Sequence, residues 1–250
     1  MSVATEPKLR VATYNVHGCV GMDGQHSETR IAQVIASMSA DIVGLQEIDR
    51  GRTRSGSIDQ TGVIAEQLGW HHHFQLAMHM ADGEYGDAII SRFPMTFARA
   101  VELPGAAPWY CRETRGAAHV TIETNLGPIA VVNTHLGLGR RERWLQAQTL
   151  TSEDWLGAAP SPLILLGDFN SLGWSRSFRL LGRRLRNVRT LVSGSRNLRT
   201  FPTKFPAIAL DHIFINAALQ PIDIRVHRTS LARLASDHYP LFADLTRASA

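Results

Sequence analysis

The run Leu163-Ile164-Leu165-Leu166, followed at once by Gly167-Asp168-Phe169-Asn170, limits what this chain can become more than any other feature. Four apolar residues in a row suit a strand covered on both faces, because successive side chains point to opposite sides. Gly167 then lets the backbone turn or approach a neighbour closely. Asp168 and Asn170 are two residues apart, so extended backbone presents a carboxylate and a carboxamide on one side, at the end of a rigid element. Four other segments also end an apolar run in acid, amide or imidazole groups: 11–17, 42–47, 129–135 and 234–238. Taken singly, each has an ordinary explanation, since Asp or Asn at a strand end is commonly a turn or cap residue. Taken together, they would burden a core with polar groups unless they meet in one cleft.

The 250 residues are enough for one large domain or two small ones. With 44% hydrophobic and 19% charged residues, the chain can bury a core, and disorder is not expected. No apolar run approaches the ~18–20 residues of a membrane span, and residues 1–10 lack the apolar centre of a secretory signal. A cytoplasmic protein is therefore expected. Cys19 and Cys111 are the only cysteines and form no metal-type pair, so neither a disulfide framework nor structural zinc is expected. The net charge of +4 comes almost wholly from Arg, with Lys8 and Lys204 the only lysines. Arg suits bidentate phosphate contact, although a compositional bias gives the same count. Arginine is densest over 176–199, which reads either as an anion-attracting rim or as a solvated helix and loop.

Strands are predicted over 9–15, 42–46, 87–91, 117–123, 129–133, 163–167, 212–215 and 241–245, and helices over 28–38, 58–68 and 141–156. Ser27 is the expected N-cap of the first helix. Asn125-Leu126-Gly127-Pro128 is a hairpin turn. The region 171–209 reads as mainly loop. No low-complexity linker or short-period repeat divides the chain, and a single domain over 9–246 after a tail of 1–8 is expected. Short strands with helices outside, and no parallel-sheet regularity, predict two sheets packed face to face under helical cover.

The strand-end groups are carboxylates, amides and imidazoles without thiolates, a set that suits a hard divalent cation such as Mg²⁺ or Mn²⁺. Such a cation beside imidazoles and Arg fits hydrolysis of a phosphate ester. The segments Tyr14-Asn15-Val16-His17-Gly18, Leu45-Gln46-Glu47, Tyr85-Gly86-Asp87 through Phe93-Pro94, Thr134-His135-Leu136, Gly167-Asp168-Phe169-Asn170, Leu210-Asp211-His212 and Ser236-Asp237-His238-Tyr239-Pro240 together resemble the endonuclease/exonuclease/phosphatase superfamily. The segments stand in family order and cover about 9–245.

The resemblance implies an α/β (α+β) four-layer sandwich: two mixed, mainly antiparallel sheets face to face, helices on both outer faces, and the site at one edge. It implies a divalent-metal-dependent phosphohydrolase, chiefly a phosphodiesterase. The substrate would be nucleic acid, a phospholipid or a small metabolite, with no obligate protein partner. A non-catalytic binding module on the same fold is the alternative of another class. By motif, Glu47 would be the principal metal carboxylate, helped by Asn15 and Asp237. Asp168 would activate or orient water, and Asn170 would fix the nucleophile and phosphate. His238, oriented by Asp211, and His135 would contact phosphate or move protons. Arg112 and Arg115 would bind substrate.

His17 stands where several relatives carry an acid, and is assigned to substrate binding; an imidazole there would favour Mn²⁺ over Mg²⁺. Glu84 and Asp87 are both in place as the carboxylate partner of His135. The triplet His71-His72-His73 alternates faces in a strand and cannot chelate as one cluster. Trp109-Tyr110 and the arginines of 137–143 could border the site or pack ordinarily. No apolar loop that would mark a lipid-acting enzyme stands out.

Overall fold

A computed structural model describes residues 7–106, 113–194 and 198–248. Along the chain come β1 (Leu9–Asn15), α1 (Glu28–Met38), β2 (Ile42–Arg50), α2 (Gln60–Leu68), β3 (His71–Met80), β4 (Gly83–Ser91), β5 (Met95–Leu103), β6 (Arg115–Thr124), β7 (Gly127–His135), α3 (Arg140–Leu150), β8 (Leu163–Asp168), α4 (Arg176–Leu181), β9 (Arg186–Asn187), β10 (Asp211–Ile215), β11 (Leu219–Val226), α5 (Ser230–Ala235) and β12 (Leu241–Arg247). They form two six-stranded sheets, in the orders β11-β12-β1-β2-β4-β3 and β5-β6-β7-β8-β10-β9.

Each sheet has one parallel pair at its centre, β1–β2 in the first and β7–β8 in the second, and its other neighbours are antiparallel. A parallel pair needs a crossover, which α1 supplies in one sheet and α3 in the other. The crossover brings the carboxyl ends of both central strands to the same edge. β10 and β12 run antiparallel to their central neighbours and so begin at that edge.

Alternation along the central strands fills three apolar layers. Val11, Ile42, Ile89, Val131, Ile164, Leu166 and Ile213 meet between the sheets. Tyr14, Val43 and Leu45 face outward against Ile31 and Ile35 of α1, Ile64 of α2 and Ala232 of α5. Val132, Leu165 and Phe214 face outward against Leu150 of α3 and Phe178 of α4. The architecture is the four-layer sandwich, with every central strand buried on both faces. Its middle layer is pinned by a buried polar bridge. Thr13 Oγ1 donates to Gln46 Oε1 (3.2 Å), Gln46 Nε2 to Asn133 Oδ1 (2.8 Å), and Asn133 Nδ2 to the carbonyls of Leu45 and Ala88 (2.9 Å each). Gly44 makes room for it, because a Cβ there would lie 2.0 Å from Leu166 Cδ1 and 2.7 Å from Asn133 Oδ1.

α1 runs over 28–38 as predicted, and Ser27 Oγ caps it by accepting from Arg30 N–H at 3.1 Å. The predicted helix 141–156 stops at Leu150 and is followed by a separate wide turn, Glu153–Gly157. Thr151 Oγ1 and Ser152 Oγ donate back to the carbonyls of Ala147 (2.7 Å) and Thr149 (2.8 Å), competing with helix propagation. The region read as loop holds α4, capped by Ser175, and β9. Residues 234–235 end the helix α5 rather than a strand.

Candidate active site

The parallel pairing decides what meets at the functional edge. Asn15 ends β1, and His135 and Asp168 end β7 and β8 in register with each other. Asp211 begins β10 directly opposite Asp168. Glu47 lies within β2, which the sequence had ending at Gln46. A bulge opposite Asp87 interrupts pairing with β4 between Leu45 and Ile48. Glu47 itself has φ 62°, a costly backbone for a non-glycine residue. The bulge turns its side chain into the edge.

Asp168 is 1% exposed, and its Oδ2 is the point of convergence. Asn15 Nδ2 donates to it at 3.1 Å, His135 Nε2 stands 3.5 Å away and His238 Nε2 3.8 Å away. Its Oδ1 accepts from Asn170 N–H at 2.9 Å. Burial pushes the Asp168 pKa upward, and His238 is the chief opposing influence. Gly167 allows this tip to form, since a Cβ at its φ of 152° would sit 1.8 Å from the Thr134 carbonyl oxygen. Asn170 follows at φ 45°, a conformation Asn tolerates, and its Nδ2 donates to Leu136 O at 2.9 Å.

The two imidazoles are in opposite states. His238 Nδ1 donates to Asp211 Oδ2 at 2.9 Å. Burial alone would lower its pKa, but Asp211 and Asp168 outweigh burial and raise it to about 10, so the ring is an imidazolium. Phe201 packs on that ring, centroids 4.7 Å apart. His135 Nδ1 faces Arg115 Nη1 at 2.9 Å. A guanidinium only donates, so Nδ1 accepts from Arg115, while Nε2 faces the Asn170 amide nitrogen at 3.0 Å and Asp168 Oδ2 at 3.5 Å. Burial, then Arg115 and His238, hold the His135 pKa well below the ordinary imidazole value.

The structure thus puts a cation where the sequence expected a carboxylate beside His135. Glu84 pairs with Arg50 away from the ring. Asp87 is buried close by, and acts on Arg115 rather than bonding the imidazole. Burial is the largest influence on Asp87, ahead of Arg115 and the backbone N–H of Glu47, and lifts its pKa to about 7. Arg115, 6% exposed, also pairs with Glu113 at 2.6 Å. Arg112 lies outside the described residues, as do Trp109 and Tyr110.

Glu47 is half-buried, and its Oε1 accepts from Asn15 Nδ2 at 2.8 Å. Asn15 Oδ1 accepts from His17 N–H at 3.0 Å, so Asn15 turns its donor to the carboxylates and bridges Glu47 to Asp168. Exposed His17 and Glu47 share a recess of about 230 Å³ with Arg52, Arg54 and Tyr85. Asp237 is half-buried beside His238, and its carboxylate helps raise the His238 pKa. The sequence reading missed Ser236. Its Oγ donates to Asn15 O at 2.8 Å and accepts from His238 N–H at 3.2 Å, latching the β12 approach to the end of β1. Only its place in the Ser-Asp-His motif marked it. Of the arginines after His135, half-buried Arg143 feels the Asp168 charge.

The oxygen-rich donors Glu47, Asn15 and Asp237 suit a hard divalent cation. Asp168, Asp211 and His238 offer ligand atoms within 4.8 Å of one another. There the imidazole and Asp211 are hydrogen-bonded to each other, so the trio also reads as an acid–base group.

The chain is similar along its length to proteins of known sequence and structure. The YbhP protein of Escherichia coli (strain K12) is 28% identical over 258 residues, 95% of this chain and 96% of YbhP. The crystal structure of an endonuclease/exonuclease/phosphatase from Beutenbergia cavernae superposes with a TM-score of 0.77 at 22% identity, covering 97% of this chain and 72% of that one. The mannosyl-6-phosphatase Bt3783 of Bacteroides thetaiotaomicron superposes with a TM-score of 0.73 at 20% identity, covering 95% and 99%. The structural likenesses establish a shared fold. A family model matches residues 12–238, nearly the whole span from β1 to the His238 motif, and the chain belongs to the Endonuclease/Exonuclease/phosphatase family.

Proposed function

We propose that this chain is a divalent-metal-dependent phosphohydrolase, acting as a phosphodiesterase by in-line attack of water at phosphorus. The observation that carries the reading is the convergence on Asp168 Oδ2 of Asn15, a neutral imidazole and a charged imidazole. A buried carboxylate with that surround is suited to take a proton from water. Glu47 would hold Mg²⁺ or Mn²⁺ with Asp237, while Asn15 fixes the Glu47 carboxylate. When bound, the cation supplies charge neutralisation at a phosphoryl oxygen.

A water against Asp168 gives its proton to Oδ2 as its oxygen bonds phosphorus. The opposite P–O bond breaks, and the leaving oxygen takes a proton from solvent. His238, kept charged by Asp211, offers Nε2–H to the anionic phosphoryl oxygens. His135, kept neutral, stands with Nε2 3.0 Å from Asn170 Nδ2, and the two side chains would contact the phosphate together. His17 stands in the recess on the Glu47 side, where it would meet substrate.

Turnover of bis-p-nitrophenyl phosphate with Mg²⁺ or Mn²⁺ tests this. Activity should vanish in chelator, and Asp168→Asn should lower kcat by about 10²–10⁴ with the fold retained. Metal-independent turnover, or an Asp168→Asn protein of wild-type rate, would overturn it.

A further inference from the structure

The connections leaving the catalytic edge differ in surface chemistry from those at the opposite edge. Among the described residues, every large hydrophobic side chain more than about a third exposed stands in a catalytic-edge connection, apart from Phe97 and Ile222 on edge strands. The most exposed are Trp174 (76%), Phe205 (73%) and Leu138 (55%). They come from three separate connections, those after β8, before β10 and after β7. The connections at the opposite edge contribute none.

Basic residues flank the three most exposed of these side chains. Residues 136–143, 169–176 and 198–210 carry exposed Arg140, Arg141, Arg176, Arg199 and Lys204, and their single acid, Glu142, is buried. Arg176 lies over the Trp144 ring at 3.9 Å from its centroid, an aromatic–cation pair on the same flank. Trp174 and Leu191 also wall a cavity of about 650 Å³ whose floor is Phe178 and Phe214. No helix among the described residues is long and apolar enough to cross a membrane.

Protruding Trp, Phe and Leu, in three segments that carry exposed Arg and Lys and no exposed acid, fit a surface that is apolar just below a layer of anionic groups. Nucleic acid satisfies the charge and the rings of Trp174 and Phe205, but not the aliphatic Leu138, Leu172, Leu191 and Met22, which have no face for a base to stack on. We propose that the catalytic edge docks on an anionic phospholipid bilayer and that the phosphoester cleaved is in a lipid headgroup. The second half of this statement rests on the phosphohydrolase reading; the docking does not.

Vesicle co-sedimentation of the full chain, using phosphatidylcholine with and without phosphatidylglycerol, separates the two. Wild type should bind the anionic vesicles and blue-shift its Trp emission. Trp174→Ser/Phe205→Ser should bind about tenfold or more weakly, with Ile222→Ser, far from the edge, unchanged. Asp168→Asn should still bind. On vesicles carrying a phospholipid substrate, the double variant should lose rate relative to a soluble phosphodiester. No vesicle binding by wild type would overturn the docking, as would equal loss in Ile222→Ser. Tight binding of single-stranded oligonucleotides through Trp174 and Phe205 without vesicle binding would assign the edge to nucleic acid instead. Vesicle binding without any phosphoester turnover would leave the docking and remove the catalytic reading.

Discussion

A guanidinium 2.9 Å from an imidazole nitrogen governs where a proton can be. Arg115 is a positioning residue: it reaches the site through His135 and keeps the Nδ1 lone pair occupied. A carboxylate in the same place would do the reverse, favouring a charged ring. Arg115→Met therefore removes a cation from a buried histidine, and the His135 pKa should rise toward the ordinary imidazole value. Followed by NMR, the ring should titrate at a higher pH in the variant than in the wild type. We expect kcat to fall roughly 10–100-fold and to gain an extra pH-dependent limb, with KM for a soluble phosphodiester changing less. Arg115→Lys, which retains charge without the fork, should recover the pH profile better than the rate. An unchanged His135 titration in Arg115→Met would refute the positioning role.

At the scale of elements, the site depends on two sheets held in fixed relation, and Asn133 is the tie. Its side chain hydrogen-bonds two carbonyls of the facing sheet, those of Leu45 and Ala88, and accepts from Gln46, all in a buried layer. Asn133→Ala leaves buried polar groups without partners and should cost about 2–4 kcal/mol, read as a lowered denaturation midpoint with an unchanged denaturant slope. Asn15 and Asp168 bond each other across the sheets, so activity should fall as well. A variant as stable as wild type would show that water replaces the tie.

The elements also explain what the sequence revealed. Each of the eight strands predicted from apolar runs is an inner strand of its sheet. The four unpredicted ones, β3, β5, β9 and β11, are the sheet edges. Inner strands are covered on both faces and so carry long apolar runs. Edge strands such as His71–Met80 carry half-exposed polar residues and so lose the signal. The site divides in the same way. Asn15, Glu47, His135, Asp168 and Asp211 were legible because each stands at or within an apolar strand. The Arg115–His135 contact, the Ser236 latch and the Glu47 bulge were not, because they depend on pairing between segments distant in sequence. The exposed rim was hidden too, since Trp174 and Phe205 are single apolar residues in polar loops and only the fold gathers them.

For the whole molecule, buried titratable groups set the pH range of stability. His135 and His212 are held neutral by burial, with pKa values below the unfolded 6.5. Their contribution is present above that value and is lost as pH falls. His238, raised to about 10, contributes stability that is full below 6.5 and is lost as pH rises toward 10. Asp87, raised to about 7 by burial, has the same sign as His238 in a lower window. Its contribution is full below the unfolded value of 3.8 and is lost as pH climbs to about 7, because the unfolded chain releases that proton first. Asp87→Asn replaces the carboxyl with a neutral group of similar shape and removes this one titration. The melting temperature of the variant minus that of wild type, measured in chelator, should therefore become more positive from pH 4 to pH 8, by the equivalent of ~1–3 kcal/mol. The His135, His212 and His238 contributions are common to both proteins and largely cancel in the difference. A pH-independent difference would mean that Asp87 is already ionised in the fold at pH 4, with Arg115 and the Glu47 N–H outweighing burial.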